Sequence, residues 1–496
     1  MSYSWGSFKN LVFPIERSEL KLFSQLAIIL FCILANFSFL RTLKDGLVIP
    51  LIGAESISFL KLWLVLPTAV VFTILYVKLS NVFELDKLFS ILVGLFVCIL
   101  LIFAFLIYPY ENSYHISADK SALLMQQLPY VKWFIKIFSK WSYAVVYILA
   151  ELWGAMVINL MFWQFANNLF STPQAQRIYP ILGIFGSFGL ILAGKLLIIF
   201  AQAELMPLQL QNIFSSSNNL TEITIKLIVT FVSITSIISI IIFRSIYANF
   251  LLARNVSNNL DYVNTKTSLS VYESIKLITH SRYIFYIFIL VISYSLAINL
   301  LEGPWKHQMS QLYTNPCDYM KFMGNFNIWM GLASVAMTII GGNILRLFGW
   351  KTSAYITPIM IGITGTLFFI FVLLDQKPSF GLDVIYISVF LGALQNILSK
   401  SSKYSLFDST KEMLYIPLSL ELRSKGKAAV EIIGSKLGKS LGAFLQFVAF
   451  SIVPDLNFDR ISIFLMIFFL IVVVLWLFTV GKVGQEYYKL NNVQNN

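Results

Sequence analysis

The sequence predicts an all-α polytopic membrane protein with twelve transmembrane helices in two six-helix halves. Three observations predict it. Of 496 residues, 58% are hydrophobic and 12% are charged, whereas soluble domains carry about 25% charged residues. Apolar runs near the ~20 residues that a bilayer requires recur along the whole chain. One long polar connection, 248–282, separates these runs into two sets.

The expected spans of the first half are 22–43, 58–78, 88–109, 141–169, 178–202 and 226–247. Those of the second half are 283–303, 323–346, 353–374, 382–400, 428–453 and 460–481. The organisation is therefore a half over 1–247, a linker over 248–282 and a half over 283–496. The first run starts near Phe23, after a mixed polar lead, and reads as a spanning helix rather than a cleaved leader. With the N-terminus in the cytoplasm, inside segments hold 21 of the 36 Lys and Arg residues. That bias predicts a multi-pass membrane protein with both termini cytoplasmic. Lys132, Lys136 and Lys140 are exceptions, and they suit an amphipathic helix over 130–141 on the outer surface. The net charge of +12 follows from inside loops, which argues against nucleic acid as a partner.

The two halves carry faint internal repeats. Asn159 and the Leu169-Phe170 pair match Asn396 and the Leu406-Phe407 pair at the same separation. Glycine-rich spans follow both segments, and spans one and seven end in Lys44-Asp45-Gly46 and Glu302-Gly303. Two joined halves that rock around a midplane site are the plan of major-facilitator-like carriers.

Span eleven holds the most informative stretch, Gly434-Ser-Lys-Leu-Gly-Lys-Ser440. Gly434, Gly438 and Gly442 line one helix face, which lets another membrane helix approach closely. Lys436 and Lys439 share another side of that helix. One Lys at mid-membrane costs about 2.5–3.5 kcal/mol on the translocon scale. Two need an anionic partner or a watery cavity, or else they snorkel. The stretch is not a phosphate-binding P-loop: it is one residue too short between its glycines and no strand precedes it.

Other ionisable groups stand in or at the edge of the bilayer. Arg41, Lys44 and Asp45 close span one, Glu151 lies within span four, and Glu302 closes span seven with Lys306 beside it. Intramembrane charges of this kind form substrate sites or interhelical pairs. The functional reading is a central cavity whose cations bind a polyanion, with the glutamates holding those cations when the site is empty. Asn159 is eight residues from Glu151, about 80° around an α-helix, and is expected to line the same cavity. Lys195 in span five is a further candidate, and Trp153, Trp163, Trp305 and Trp329 are candidates to stack on a flat ring. Cys32, Cys98 and Cys317 are isolated, with no metal or redox spacing. No catalytic set or metal-spaced cluster stands out, so neither an enzyme, a resident metal nor a cofactor is expected.

Several segments resemble one family. They are Arg41-Thr-Leu-Lys-Asp-Gly46, Ser56-Ile-Ser-Phe-Leu-Lys61, Trp133-Phe-Ile-Lys136 and Ala150-Glu-Leu-Trp-Gly154. Trp163-Gln-Phe-Ala-Asn167, Leu301-Glu-Gly303, Lys403-Tyr-Ser-Leu-Phe-Asp408 and Leu437-Gly-Lys-Ser440 complete the set. Together they resemble the non-mitochondrial ATP/ADP translocases of obligate intracellular bacteria and plastids, nearest to the rickettsial type. The resemblance implies that Lys44, Glu151, Glu302 and Lys439 take part in transport. It also implies exchange of host ATP for bacterial ADP. Lys436, Arg41 and Asn159 join the candidate substrate-binding set from the residue reading. Alternatives are exchange of other nucleotides (GTP, CTP or UTP) and proton-coupled transport of another organic anion. The expected partners are nucleotides and lipid, with the chain a monomer by analogy to other facilitators.

Overall fold

A computed structural model describes residues 15–170, 172–214, 219–256, 281–375, 381–418, 426–427, 430, 434–453 and 455–495. These residues are almost entirely helical, with no strand among them. That is the expected result for a chain in hydrocarbon, where each backbone polar group must be satisfied within its own helix. Large apolar side chains such as Val71, Trp329, Phe390 and Phe464 stand exposed on the outside. An exposed apolar belt of this extent suits lipid rather than water.

Long helices α1 (Leu20–Leu51), α2 (Ser56–Ser80) and α3 (Leu85–Tyr114) open the chain. Two short helices follow, α4 (Ala118–Gln127) and α5 (Lys132–Ser139). Then come α6 (Trp141–Leu169), α7 (Thr172–Ala201) and α8 (Leu220–Val256). Past the linker stand α9 (Arg282–Leu312), α10 (316–348) and α11 (350–375). The last three are α12 (381–414), α13 (Ser435–Ile452) and α14 (Phe458–Asn495).

Ten helices among the described residues are long and apolar enough to cross a bilayer, against the twelve expected. One of these ten is the continuous segment Pro316–Asp375, which breaks at Gly349. There φ is 72° and ψ is −179°, a backbone conformation that glycine adopts without steric cost. The break divides α10 from α11 and falls in the basic loop expected between spans eight and nine. The expected eleventh span is represented by a shorter apolar helix, Leu437–Ile452, because much of 428–433 lies outside the described residues. Most of the linker, 257–280, lies outside them too, although α8 continues helically to Val256.

Small residues set where helices cross. The expected stripe on α13 is borne out: a Cβ built on Gly434, Gly438 or Gly442 would meet Val291, Ser295 or Asn299, all on α9. On α7, a Cβ on Gly189 would run into the carbonyl oxygen of Phe31, and one on Gly194 would lie 2.5 Å from that of Gly324. Those glycines let α7 press backbone against backbone on α1 and α10.

The expected surface helix is present as α5, preceded by a tight turn over Pro129–Val131. Lys132 and Lys136 lie 5.2 and 4.7 Å from the Trp133 ring centroid, within cation–π range. Beside this segment, His115 is buried, with Nε2 2.8 Å from the Ser142 hydroxyl. Glu111 accepts a hydrogen bond from the Tyr143 hydroxyl in the same cluster. Burial, then the charge of Lys140, lowers the His115 pKa to about 4, against roughly 6.5 in an unfolded chain. Protons then bind the unfolded state first as pH falls, so stability is full above about pH 6.5 and declines towards pH 4. A melting series across that window is expected to show this decline in the wild type and a flatter profile in His115→Gln. Equal slopes in the two proteins would remove His115 as the cause.

Candidate functional site

The polar centre of the bundle is an ion network built from helices on both sides of the linker. It exists because α1 and α9 run further than hydropathy predicts. The first span does not end at Lys44 and Asp45: α1 continues to Leu51, and its apolar run Leu47-Val48-Ile49 is fully buried. In the same way α9 passes Glu302 and continues to Leu312. The charges expected at span ends therefore lie within the helices, which is tolerable only because they satisfy one another.

Lys44 on α1 is the first hub. Its Nζ is 2.8 Å from Asp45 Oδ1 and 3.0 Å from Glu151 Oε1 on α6. The same ammonium sits 3.9 Å from the centroid of the Tyr147 ring, one turn before Glu151. Asp45 is the second hub, since its Oδ2 lies 3.0 Å from Lys306 Nζ on α9. Lys306 also reaches Glu302 Oε1 at 3.1 Å, one turn back on its own helix. Glu302 in turn meets Lys61 on α2 at 3.1 Å and Arg41 on α1 at 3.9 Å. One continuous chain of charge thus runs from Glu151 through Lys44, Asp45 and Lys306 to Glu302, Lys61 and Arg41.

Burial is graded along this chain. The side chains of Asp45 and Lys306 are each 1% exposed, while Glu302 is 20% and Glu151 34% exposed. Solvent therefore reaches the glutamates at the two ends, and the central pair is dry. A π-helical segment on α2, Leu60–Val65, carries Lys61 into the network. Such segments are frequent at functional sites.

Three of the expected residues stand differently. Lys439 is exposed, within electrostatic range of Glu151, Lys61, Glu302 and Lys403 rather than in a tight pair. The side chain of Lys436 lies outside the described residues. Asn159 is exposed, and among the described residues no hydrogen bond or ion pair joins it to the network. Its expected placement used α-helical geometry, but Gly154–Phe162 is π-helical, so the rotation per residue differs.

Other candidates fall away. Lys195 is exposed on α7 rather than buried. Trp153 and Trp305 are 1% exposed and donate their ring N–H to the carbonyls of Ile33 and Val389, which makes them packing residues. Trp329 is 64% exposed on the outside of the bundle, and Trp163 packs on Tyr179.

Sequence reasoning named Asp45 and Lys306 among the bilayer-edge charges but left them, and Lys61, out of the substrate-binding set. Two signals were present: Lys306 follows Glu302 at the helical i, i+4 spacing, and Asp45 adjoins Lys44. A second polar cluster was missed outright. His307, next to Lys306, presents Nδ1 2.9 Å from Glu55 Oε1 and Nε2 3.0 Å from Asp459 Oδ2. Glu55 stands in the turn after α1, and Asp459 opens α14. Carboxylates only accept, so a carboxylate at each ring nitrogen favours the doubly protonated imidazolium; Gln311 Nε2 also lies 2.9 Å from Nε2, and the Nδ1 contact is an ion pair without hydrogen-bond geometry. Gln308 and Gln311 donate to Asp459 at 3.3 and 3.1 Å. Burial alone raises the Glu55 carboxyl, yet the His307 contact outweighs burial and holds it below the usual carboxylate range. This cluster closes one end of the bundle over the Asp45–Lys306 pair.

With this geometry in view, comparison with known proteins decides the family. The model of the TLC ATP/ADP transporter family matches residues 2–487. The chain belongs to that family. It is 51% identical to the "ADP,ATP carrier protein 3" of Rickettsia typhi, over 97% of this chain and 98% of the relative. It is 52% identical to the protein of the same name from Rickettsia prowazekii, over 97% of each. Among solved structures it is similar to a bacterial homologue of the iron transporter ferroportin in its inward-facing state, with a TM-score of 0.57. The identity is 14%, and the match covers 94% of this chain and 98% of that one. The inward-open xylose transporter XylE of E. coli gives a TM-score of 0.51 at 11% identity, over 94% and 95%. At these identities the likeness establishes a shared carrier fold. The family and the relatives are transporters, in keeping with the expectation of a carrier rather than an enzyme.

Proposed function

We propose that this chain is a nucleotide antiporter that brings in host ATP in exchange for bacterial ADP by alternating access. The observation that carries this reading is the ion network that ties α1, α2 and α6 to α9 at the centre of the bundle. Arg41, Lys44, Lys61, Lys306, Lys400 and Lys439 supply six cations within reach of three carboxylates, Asp45, Glu151 and Glu302. The excess is positive, as a site for a polyphosphate requires. The family match and the names of the relatives support the choice of ATP and ADP.

In this mechanism the carboxylates hold the cations while the site is empty. An entering polyphosphate displaces Glu151 and Glu302, the two solvent-reached carboxylates, from Lys44, Lys61 and Arg41. Lys439 and Lys436 stand on α13 to receive further phosphate oxygens as point charges. The halves over 1–247 and 283–496 rock about this centre, with twelve crossings in all and both termini cytoplasmic in the inner membrane. The closed Glu55 end then faces outward. An empty, charge-paired centre changes state slowly, so transport proceeds by exchange. A ligand shifts such an equilibrium only through its different affinities for the two states.

The test uses bacterial cells that express the chain and control cells that carry the vector alone. Cells loaded with labelled ATP and washed are expected to release the label when unlabelled ADP or ATP is added outside. Release driven better by GTP, CTP or UTP would move the assignment to another nucleotide. Release of nothing by any nucleotide would end the reading.

A further inference from the structure

Lys400 on α12 is the last residue of the expected span 382–400, at its cytoplasmic end. It lies instead within the helix, which continues to Leu414. Its Nζ is the one lysine nitrogen among the described residues that is buried without a hydrogen-bond partner. The ammonium stands 5.7 Å from the centroid of the Phe326 ring and within electrostatic range of Arg41, Glu302, Lys306 and Asp45. Both of those carboxylates are already engaged, Asp45 by Lys44 and Lys306, and Glu302 by Lys61, Lys306 and Arg41.

Two hydroxyls share this condition. The phenol oxygens of Tyr147 and Tyr319 are buried with no hydrogen-bond partner. Each lies within range of Asp45 and Glu302, and of the other. Three unpartnered donors therefore lie around the ion network, in which Asp45 Oδ2 stands 3.0 Å from Lys306 Nζ but accepts no hydrogen bond. A buried ammonium without a partner is costly, and an unpaired buried hydroxyl costs about 1–3 kcal/mol. A small anion with several oxygens would satisfy all three, and a phosphoryl group has that form.

We propose that Lys400, with the hydroxyls of Tyr147 and Tyr319, forms a subsite for the γ-phosphoryl group of ATP. The subsite tells a triphosphate from a diphosphate. This inference rests on the nucleotide reading above and deepens it. Asp45, Glu302, Lys306 and Lys61 are occupied with one another in the empty carrier, whereas Lys400 gains a counter-charge only when substrate arrives.

The test is exchange by purified protein in liposomes, with KM and kcat measured separately for ATP and for ADP. A charge-assisted hydrogen bond of about 1.5–3 kcal/mol corresponds to roughly 10–150-fold. Lys400→Gln is expected to raise the KM for ATP by about tenfold or more and that for ADP by under roughly threefold. Lys400→Arg is expected to keep most of the preference for ATP. Equal effects on both substrates, or none, would overturn the subsite. A second measurement guards against a simple folding defect: nucleotide-free Lys400→Met is expected to melt no lower than wild type, because it loses an uncompensated charge. A lower melting temperature for this variant would make Lys400 a structural residue and would also overturn the proposal. A wild-type protein that exchanges neither nucleotide would instead sink the nucleotide reading itself.

Discussion

Asp45→Asn is expected to be the most damaging single substitution in the central network, lowering stability by about 3–5 kcal/mol. Asp45 is the only carboxylate among the described residues that holds two buried lysines, Lys44 at 2.8 Å and Lys306 at 3.0 Å. An asparagine has the same shape and no charge. Both ammonium groups would then face each other, 4% and 1% exposed, with Glu151 and Glu302 left only on their outer sides. Lys306→Met is expected to cost less, because Asp45 remains paired with Lys44. The double variant leaves Lys44 with Glu151 and has one cation fewer, so it is expected to recover part of the loss. A coupling of about 0.5–3 kcal/mol is the usual range for residues in one network. Exchange is expected to fall by about 100-fold in Asp45→Asn, the factor that corresponds to near 3 kcal/mol. Melting of the purified proteins and counterflow in liposomes measure the two effects. Wild-type values for Asp45→Asn in both assays would show that the pair is incidental.

The difference between what the sequence predicted and what the structure contains follows from range. Composition and apolar runs depend on local residues, and they placed nearly every helix. The stripe Gly434, Gly438 and Gly442 was legible because i, i+4 spacing fixes a face, and that face meets α9. Hydropathy ended span one at Lys44 because it penalises charge, whereas Lys306 neutralises Asp45 from 261 residues away and lets α1 continue. The same blindness ended span ten at Lys400. Lys195 failed in the other direction, since a lysine inside an apolar run can sit on an exposed face, as this one does. Asn159 stands apart from the network because the π-helical segment that carries it cannot be read from residue types alone. His307, Glu55 and Asp459 carry no common motif, and only the fold of α9 against the ends of α1 and α14 brings them together.

That last cluster makes the second large prediction. Glu55→Gln is expected to shift the carrier towards the state open at the Glu55 end by about 10–150-fold. The reason is the sequence of contacts at His307. Its imidazolium bridges the turn after α1 to the start of α14, with 2.9 Å to Glu55 and 3.0 Å to Asp459. The backbone N–H of Phe458 also donates to Glu55 at 3.4 Å, so one carboxylate fastens both α9 and α14. An amide at position 55 keeps a weak acceptor but loses the charge that faces His307, a contact worth about 1.5–3 kcal/mol. Opening is measurable with a cysteine at Met320, which is fully buried where α10 crosses Gly46. In a background lacking Cys32, Cys98 and Cys317, a membrane-impermeant maleimide is expected to label Met320→Cys slowly. Addition of Glu55→Gln is expected to speed that labelling by roughly the same factor. Exchange is expected to slow, because a carrier biased to one face must climb back before each return step. His307→Gln is expected to act in the same direction and more strongly, since it removes the charge that both carboxylates share. Unchanged labelling in both variants would mean that the closed end is held by packing of α1, α9 and α14 and that the imidazolium is only a passenger.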